Sequence, residues 1–265
     1  KRHNLINRIR FELKQLDIPY NHYLGGIDMI ADDTISYVKK DILVFGISVT
    51  VFLILVLFFI FRNIKWVLIP LISTFYSILI MTGLIGLFKW EITAISSNFI
   101  SLMLILSISM NIHIINRYRI NYLSNNNYST NLSLTMKNMF YPCLYTSLTT
   151  IVAFGSLLFS DIKPVIDFGK VMIVALTVIF ISSFTILPLA ISVFPKIKDN
   201  FSLNWKISNL FFQLSSKNTR SILVLNILIF LLSLWGINNL NVENSFINYF
   251  KKDSEIYKGM KLIDE

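Results

Sequence analysis

Six long apolar runs divide this sequence, and polar segments separate them. A bilayer core of about 30 Å is crossed by roughly 20 helical residues at 1.5 Å each. The runs predict membrane spans at Ile42–Phe61, Val67–Phe88, Thr93–Ile115, Leu144–Phe159, Val165–Phe194 and Ile222–Trp235. The pattern therefore predicts an all-α polytopic membrane bundle.

The polar segments differ in character. Residues 1–40 and 241–265 are too rich in charge for lipid and too short to form a core alone, so we expect a piece of a longer protein. Apolar residues at helical spacing in residues 204–214 predict a helix at the membrane surface before the last span. A second such helix is predicted within residues 118–140, interrupted near "SNNNYST".

Composition supports a membrane protein, with 54% hydrophobic and 15% charged residues. The net charge of +9 comes largely from Lys and Arg in alternate loops, such as Arg62 and Lys65, and this predicts no nucleic-acid partner. The positive-inside rule places those loops in the cytoplasm. Six spans then predict that both ends of the chain are extracytoplasmic.

The third run carries polar side chains in the stretch "SISMNIHIINRYRI". At 100° per residue, Ser109 and His113 fall on one side of a helix, with Met110 beside them, while Ser107 and Asn111 fall nearly opposite. A helix that is polar around most of its circumference belongs among other helices, so we expect it to be central.

Two interpretations of these residues stay open. Ser107, Ser109 and Asn111 can serve as interhelical hydrogen bonds, worth about 1 kcal/mol or less each. His113 can instead relay a proton, because imidazole titrates near neutral pH. We expect His113 to face the interior of the bundle and Met110 to pack against a neighbouring span.

The fourth run supplies a row of hydroxyls that can bond to their own helix or to a neighbour. These candidates for bundle packing or coupling are Thr146, Ser147, Thr149 and Thr150. Gly155 and Ser156 predict a close helix approach at the end of this run.

Motifs for catalysis are missing from the sequence. It holds no GxxxxGK[ST] phosphate loop, no HExxH and no CxxC, and its single cysteine, Cys143, reads as a small apolar residue in a helix. We therefore predict a protein that is not an enzyme and has no metal site and no cofactor.

Several stretches together resemble a known family. They are "TAISSNFISLMLILSISMNIHIINRYR", "YPCLYTSLTTIVAFGSLLFSDIKPVIDFGKVMIVAL" and "LPLAISVFP". The chain resembles the resistance–nodulation–division (RND) superfamily, in its MMPL-like or hydrophobe-exporter branch, which is related to sterol-sensing-domain proteins. The segment "TSLTT…F…S…P…DFG" is the most specific part.

The resemblance implies a domain order and adds partial α+β extracytoplasmic segments to the bundle. Residues 1–40 would end the first porter domain, and 41–195 would form a five-span sterol-sensing-like bundle. A cytoplasmic amphipathic linker would follow at 196–218, a sixth span at 219–240, and the start of a second porter domain at 241–265. The chain would then hold helices two to seven of a roughly twelve-helix pump.

The resemblance also implies a coupling site. The family carries one or two aspartates about three residues before an Ile-His pair, which here is Ile112 and His113, followed by Arg117, Tyr118 and Arg119. In this sequence the aspartate positions fall on Ser109 and Met110. Neither side chain can carry a proton.

The function implied is an inner-membrane transporter that exports lipids or other hydrophobic molecules, driven by the proton gradient. The alternative is a non-pumping lipid-binding or membrane scaffold protein that keeps the sterol-sensing-like bundle. The partners expected are membrane lipids, a hydrophobic or lipid substrate, and a homo-oligomeric or periplasmic partner.

Overall fold

The computed structural model describes residues 2–15, 24, 26–93, 96–124, 128–193, 219–240, 252 and 254–264. The chain forms two compact units, one of Ile30–Lys198 and one of Lys1–Met29 with Asp199–Glu265. Helices account for nearly all of the described residues, and no strand is found among them, so the expected α+β porter segments are not seen there.

In its described residues, the larger unit contains five long helices. They are α2 (Ile27–Phe61, in this unit from Ile30 onward), α3 (Ile64–Leu87), α4 (Phe99–Ser124, after a 3₁₀ turn at Ser96–Asn98), α5 (Tyr128–Gly155, before a 3₁₀ turn at Ser156–Phe159) and α6 (Lys163–Val193). The smaller unit contains α1 (Arg2–Gln15), α7 (Thr219–Ile237) and α8 (Glu255–Asp264).

Within the described ranges, six helices are long and apolar enough to cross a membrane, which confirms the six predicted spans. They lie within Asp28–Phe61, Ile64–Leu87, Ser96–Tyr122, Ser129–Phe159, Lys163–Val193 and Arg220–Ile237. Several are longer than the apolar runs, because backbone hydrogen bonding continues a helix into polar residues.

The region 118–140 shows this lengthening most clearly. Its two ends belong to the end of α4 and the beginning of α5, so the prediction of a separate surface helix there is wrong. The surface helix expected at 204–214 lies outside the described residues, and the predicted domain boundaries stay predictions.

The core of the larger unit lies where α3, α4 and α6 pack against one another. In an apolar 18-residue stretch of α4, half of the residues are buried within the chain, and α6 has the same share. In the corresponding stretch of α2, only 6% are buried. Helix α4 also contacts α5, so its predicted central position is confirmed. Fully buried side chains of this core include Ile69, Met103, Ile114, Met172 and Ile179.

Helix α6 approaches the end of α5 most closely at Gly169. A Cβ atom there would lie 2.9 Å from the carbonyl oxygen of Phe154 and 3.1 Å from Cβ of Leu157, so only glycine fits without a shift. At Gly155, where the sequence predicted the close approach, a Cβ atom would meet Ile173 at an ordinary 3.9 Å. The small residue that permits the contact therefore lies on the partner helix.

Helix α2 continues without a break from a polar segment into the membrane span. Its first turns carry charged residues such as Asp32, Asp33 and Lys39, and its apolar run follows. The helix ends at Phe61, where the N–H of Arg62 donates to the Phe58 carbonyl oxygen at 2.8 Å and Arg62 takes a positive φ of 49°. A tight turn therefore connects α2 to α3.

Candidate functional site

The two polar sides of α4 meet different neighbours, and the side facing α3 is hydrogen-bonded. Ser107 and Asn111 are fully buried. The Oγ of Ser107 lies 2.9 Å from Oγ1 of Thr74. The Asn111 amide donates to Oγ1 of Thr74 and to the carbonyl oxygen of Pro70, both at 3.3 Å. These contacts join α3 to α4, which supports the structural interpretation of Ser107 and Asn111.

The other polar side of α4 opens onto a cavity of about 300 Å³ between α4, α5 and α6. Ser109 and His113 line it and are exposed, while Met110 lines it and is 9% exposed. Met110 belongs to the buried core cluster and also borders the cavity, so its packing against a neighbouring span stays a prediction. The expectation that His113 faces the interior of the bundle is wrong, because the neighbouring turns of α5 leave this side of α4 open.

The wall contributed by α5 carries the hydroxyl row predicted from the sequence. Thr146, Ser147 and Thr150 line the cavity, together with Pro142 and Cys143. The structure thus brings residues from two predicted groups, separated by more than thirty positions, to one place. Thr149, Ser107 and Asn111 are not part of its lining.

The hydroxyls of α5 differ in whether they have a hydrogen-bond partner. Thr146 donates to the carbonyl oxygen of Pro142 at 2.9 Å, and Thr150 donates to that of Thr146 at 2.7 Å. Ser147 is 4% exposed, and its Oγ has no partner within the part of the chain that the structure describes. Thr149, on another side of the helix, donates to the carbonyl oxygens of Tyr145 and Thr146 at 3.0 Å.

The remaining wall of the cavity is apolar. It consists of Leu106, Met139, Leu176 and Ile179. No carboxylate is found in the lining, and no group of three His, Cys, Asp or Glu that could hold a metal occurs among the described residues. The lining also includes the imidazole of His113. The cavity combines this imidazole, a row of hydroxyls and an apolar wall.

Thr74 was not among the candidate residues predicted from the sequence. A single threonine in a long apolar run has no distinguishing pattern, although Ser73, Thr74 and Ser77 together mark one face of α3. All three are buried.

Arg119 was noted only as a charge and a motif residue. Its side chain is 8% exposed, and its guanidinium lies 5.2 Å from the ring of Phe61 and 5.8 Å from that of Trp66. Cation–π contacts of this kind stabilise a positive charge on an aromatic surface. Arg119 therefore joins the end of α4 to the turn between α2 and α3.

Comparison with known proteins agrees with this architecture. The model of the MMPL family matches residues 2–210, which include α2 to α6 and every residue of the cavity. No curated protein matches the chain. The family match and the six apolar helices fit a multi-pass membrane protein of a transporter family. The resemblance seen in the sequence is confirmed, and the chain belongs to the MMPL family.

Proposed function

We propose that this protein is an RND-type transporter that exports lipids or other hydrophobic molecules across the inner membrane, driven by the proton gradient, and that it catalyses no reaction. His113 carries the proton in this part of the protein. Family membership supports the transporter, and the charges of the loops support an orientation with both ends extracytoplasmic. The proposal assigns to an imidazole the task that the family gives to aspartates at the positions of Ser109 and Met110.

The observation that carries the proposal is the place of His113 in the cavity. A proton carrier must be a group that can take up and release a proton. His113 is exposed and lines a cavity that also holds hydroxyls from α5. Ser109 and Met110 cannot exchange a proton, so the imidazole is the group in this cavity suited to the task.

The apolar surfaces of the chain support a hydrophobic substrate. One side of the cavity is apolar and consists of Leu106, Met139, Leu176 and Ile179. Membrane lipids meet the outer faces of these helices in any case, so a lipophilic molecule reaches the protein without leaving the bilayer. This route supports a lipophilic substrate.

The test measures proton flux and substrate movement together. The full-length protein is reconstituted into liposomes that contain a fluorescent phospholipid analogue and a lumenal pH dye. His113→Ala should lower substrate-dependent proton flux at least tenfold. Asn116→Ala is the matched control, since Asn116 is exposed on the same helix and does not line the cavity, and it should change the flux less than twofold.

Two other outcomes would contradict the proposed proton coupling through His113. Flux that His113→Ala leaves unchanged would place proton coupling elsewhere in the protein. A wild type that binds the phospholipid analogue but moves no protons would favour the second candidate function, a lipid-binding or scaffold protein. The observation in favour of that candidate is the absence of a carboxylate from the lining of the cavity.

A further inference from the structure

Ser147 is the deepest hydroxyl of the cavity between α4 and α5. It is 4% exposed, and its Oγ finds no hydrogen-bond partner in the described part of the chain. A buried hydroxyl without a partner costs free energy, so such groups are normally satisfied by a protein group or by water. Ser147 lines the cavity, but its Oγ is closed to solvent in this rotamer, so the side chain must turn toward the cavity to meet a partner there.

The neighbouring hydroxyls cannot serve as donors to Ser147. Thr146 and Thr150 each donate to a carbonyl oxygen of their own helix, so only their lone pairs remain available. Several acceptors thus surround the cavity, which suits a molecule that both donates and accepts. A water molecule does both, and it takes about 30 Å³ in the liquid. The cavity of about 300 Å³ has room for several.

We propose that water fills this cavity and that Ser147 holds a water molecule that hydrogen-bonds to His113. Ser147 is then a positioning residue, because it acts on the proton through this water. The role of Ser147 rests on the proposed function, while the presence of water does not. A lipid tail lying against the apolar wall is the competing occupant, and it would leave the buried hydroxyl unsatisfied.

The first test asks whether water fills the cavity, whether or not the protein transports anything. Cys143 is replaced by alanine, and a single cysteine is then introduced by Thr146→Cys on the cavity wall or by Thr149→Cys outside it. A permanently charged methanethiosulfonate reagent reacts only where water reaches. It should modify the Thr146→Cys variant at least ten times faster than the Thr149→Cys variant. Equal rates, or reaction of the cavity variant only with an uncharged lipophilic reagent, would overturn the proposal.

The second test concerns Ser147 itself. Ser147→Ala should lower substrate-dependent proton flux at least fivefold, and Ser147→Thr, which keeps the hydroxyl, should retain at least half of the wild-type flux. Thr149→Ala removes a hydroxyl that already bonds within α5 and should change the flux less than twofold. Equal losses in Ser147→Ala and Ser147→Thr would show an effect of packing and would refute the positioning role.

The two tests distinguish a failure of the proposed function from a failure of the water-filled cavity. A wild type without proton flux would refute the proposed function and with it the role of Ser147, but the labelling rates would still decide whether the cavity holds water. Slow labelling in a protein that does transport protons would refute the water-filled cavity and the role of Ser147, and it would leave the proposed function standing.

Discussion

The two polar sides of α4 contain the same kinds of side chain and differ in what meets them. Ser107 and Asn111 are buried and bonded to α3, although Oδ1 of Asn111 has no partner within the described chain. Ser109 and His113 each lie two positions from one of these residues and line an open cavity. The identity of a polar residue in a membrane helix therefore does not reveal its role, whereas its partners do.

The difference arises in the neighbouring helices. Helix α3 offers a hydroxyl at Thr74 and a carbonyl oxygen at Pro70, and the Asn111 amide can donate to both. Helix α5 offers Thr146 and Thr150, whose hydrogens are already engaged in their own helix. The α3–α4 interface contains hydrogen bonds between the two helices, whereas the hydroxyls of α5 that line the cavity make none to α4 among the described residues.

The largest effect should come from placing a carboxylate on each side in turn. Asn111→Asp would bury a charge in the α3–α4 interface and should lower the free energy of unfolding by about 3 kcal/mol, the cost of a charge within a membrane helix. Ser109→Asp, on the side that we propose to be hydrated, should cost less than about 1 kcal/mol, since a carboxylate that stays in water keeps its solvation. Chemical denaturation of the two variants in detergent micelles measures both values. Equal costs would show that the two sides do not differ in polarity.

The second largest effect should come from moving the proton-carrying group from position 113 to position 109. Because the family places an aspartate at the position of Ser109, Ser109→Asp should restore at least a third of the proton flux that His113→Ala removes. The measurement is lumenal pH in proteoliposomes of the single and double variants. Asn116→Asp in the same background serves as the control, since Asn116 lies outside the cavity lining. Rescue by both variants would mean that any carboxylate on this helix suffices and that the cavity has no special role.

The smallest effect should come from removing single hydroxyls without a change in shape. Thr74→Val takes away the partner of Ser107 and Asn111 and should lower the free energy of unfolding by about 1 kcal/mol. Thr146→Val removes a hydroxyl that bonds only within its own helix and should cost less than about 0.5 kcal/mol. Thermal unfolding in micelles compares them. A larger loss for Thr146→Val would reverse the assignment of the two sides.

The sequence alone was sufficient for the number of spans and for the two faces of α4. Length and hydropathy determine a span because the bilayer has a fixed thickness, and the separation of Ser107 from Ser109 follows from helix geometry. Which helix each face meets depends on contacts distant in the sequence. For that reason the environment of His113 was predicted wrongly, Thr74 was missed, and the close approach was assigned to Gly155 rather than Gly169.

The unbroken course of α2 has a mechanical consequence. From Ile30 to Phe61 the helix is about 48 Å long, and its charged turns before Ile42 extend roughly 18 Å beyond the apolar run at 1.5 Å per residue. Few residues of its apolar stretch are buried against other parts of the chain. A tilt of about 10° would swing the charged end by roughly 8 Å over that length. A small rearrangement among the spans would therefore be amplified along α2 into a larger displacement of its charged end.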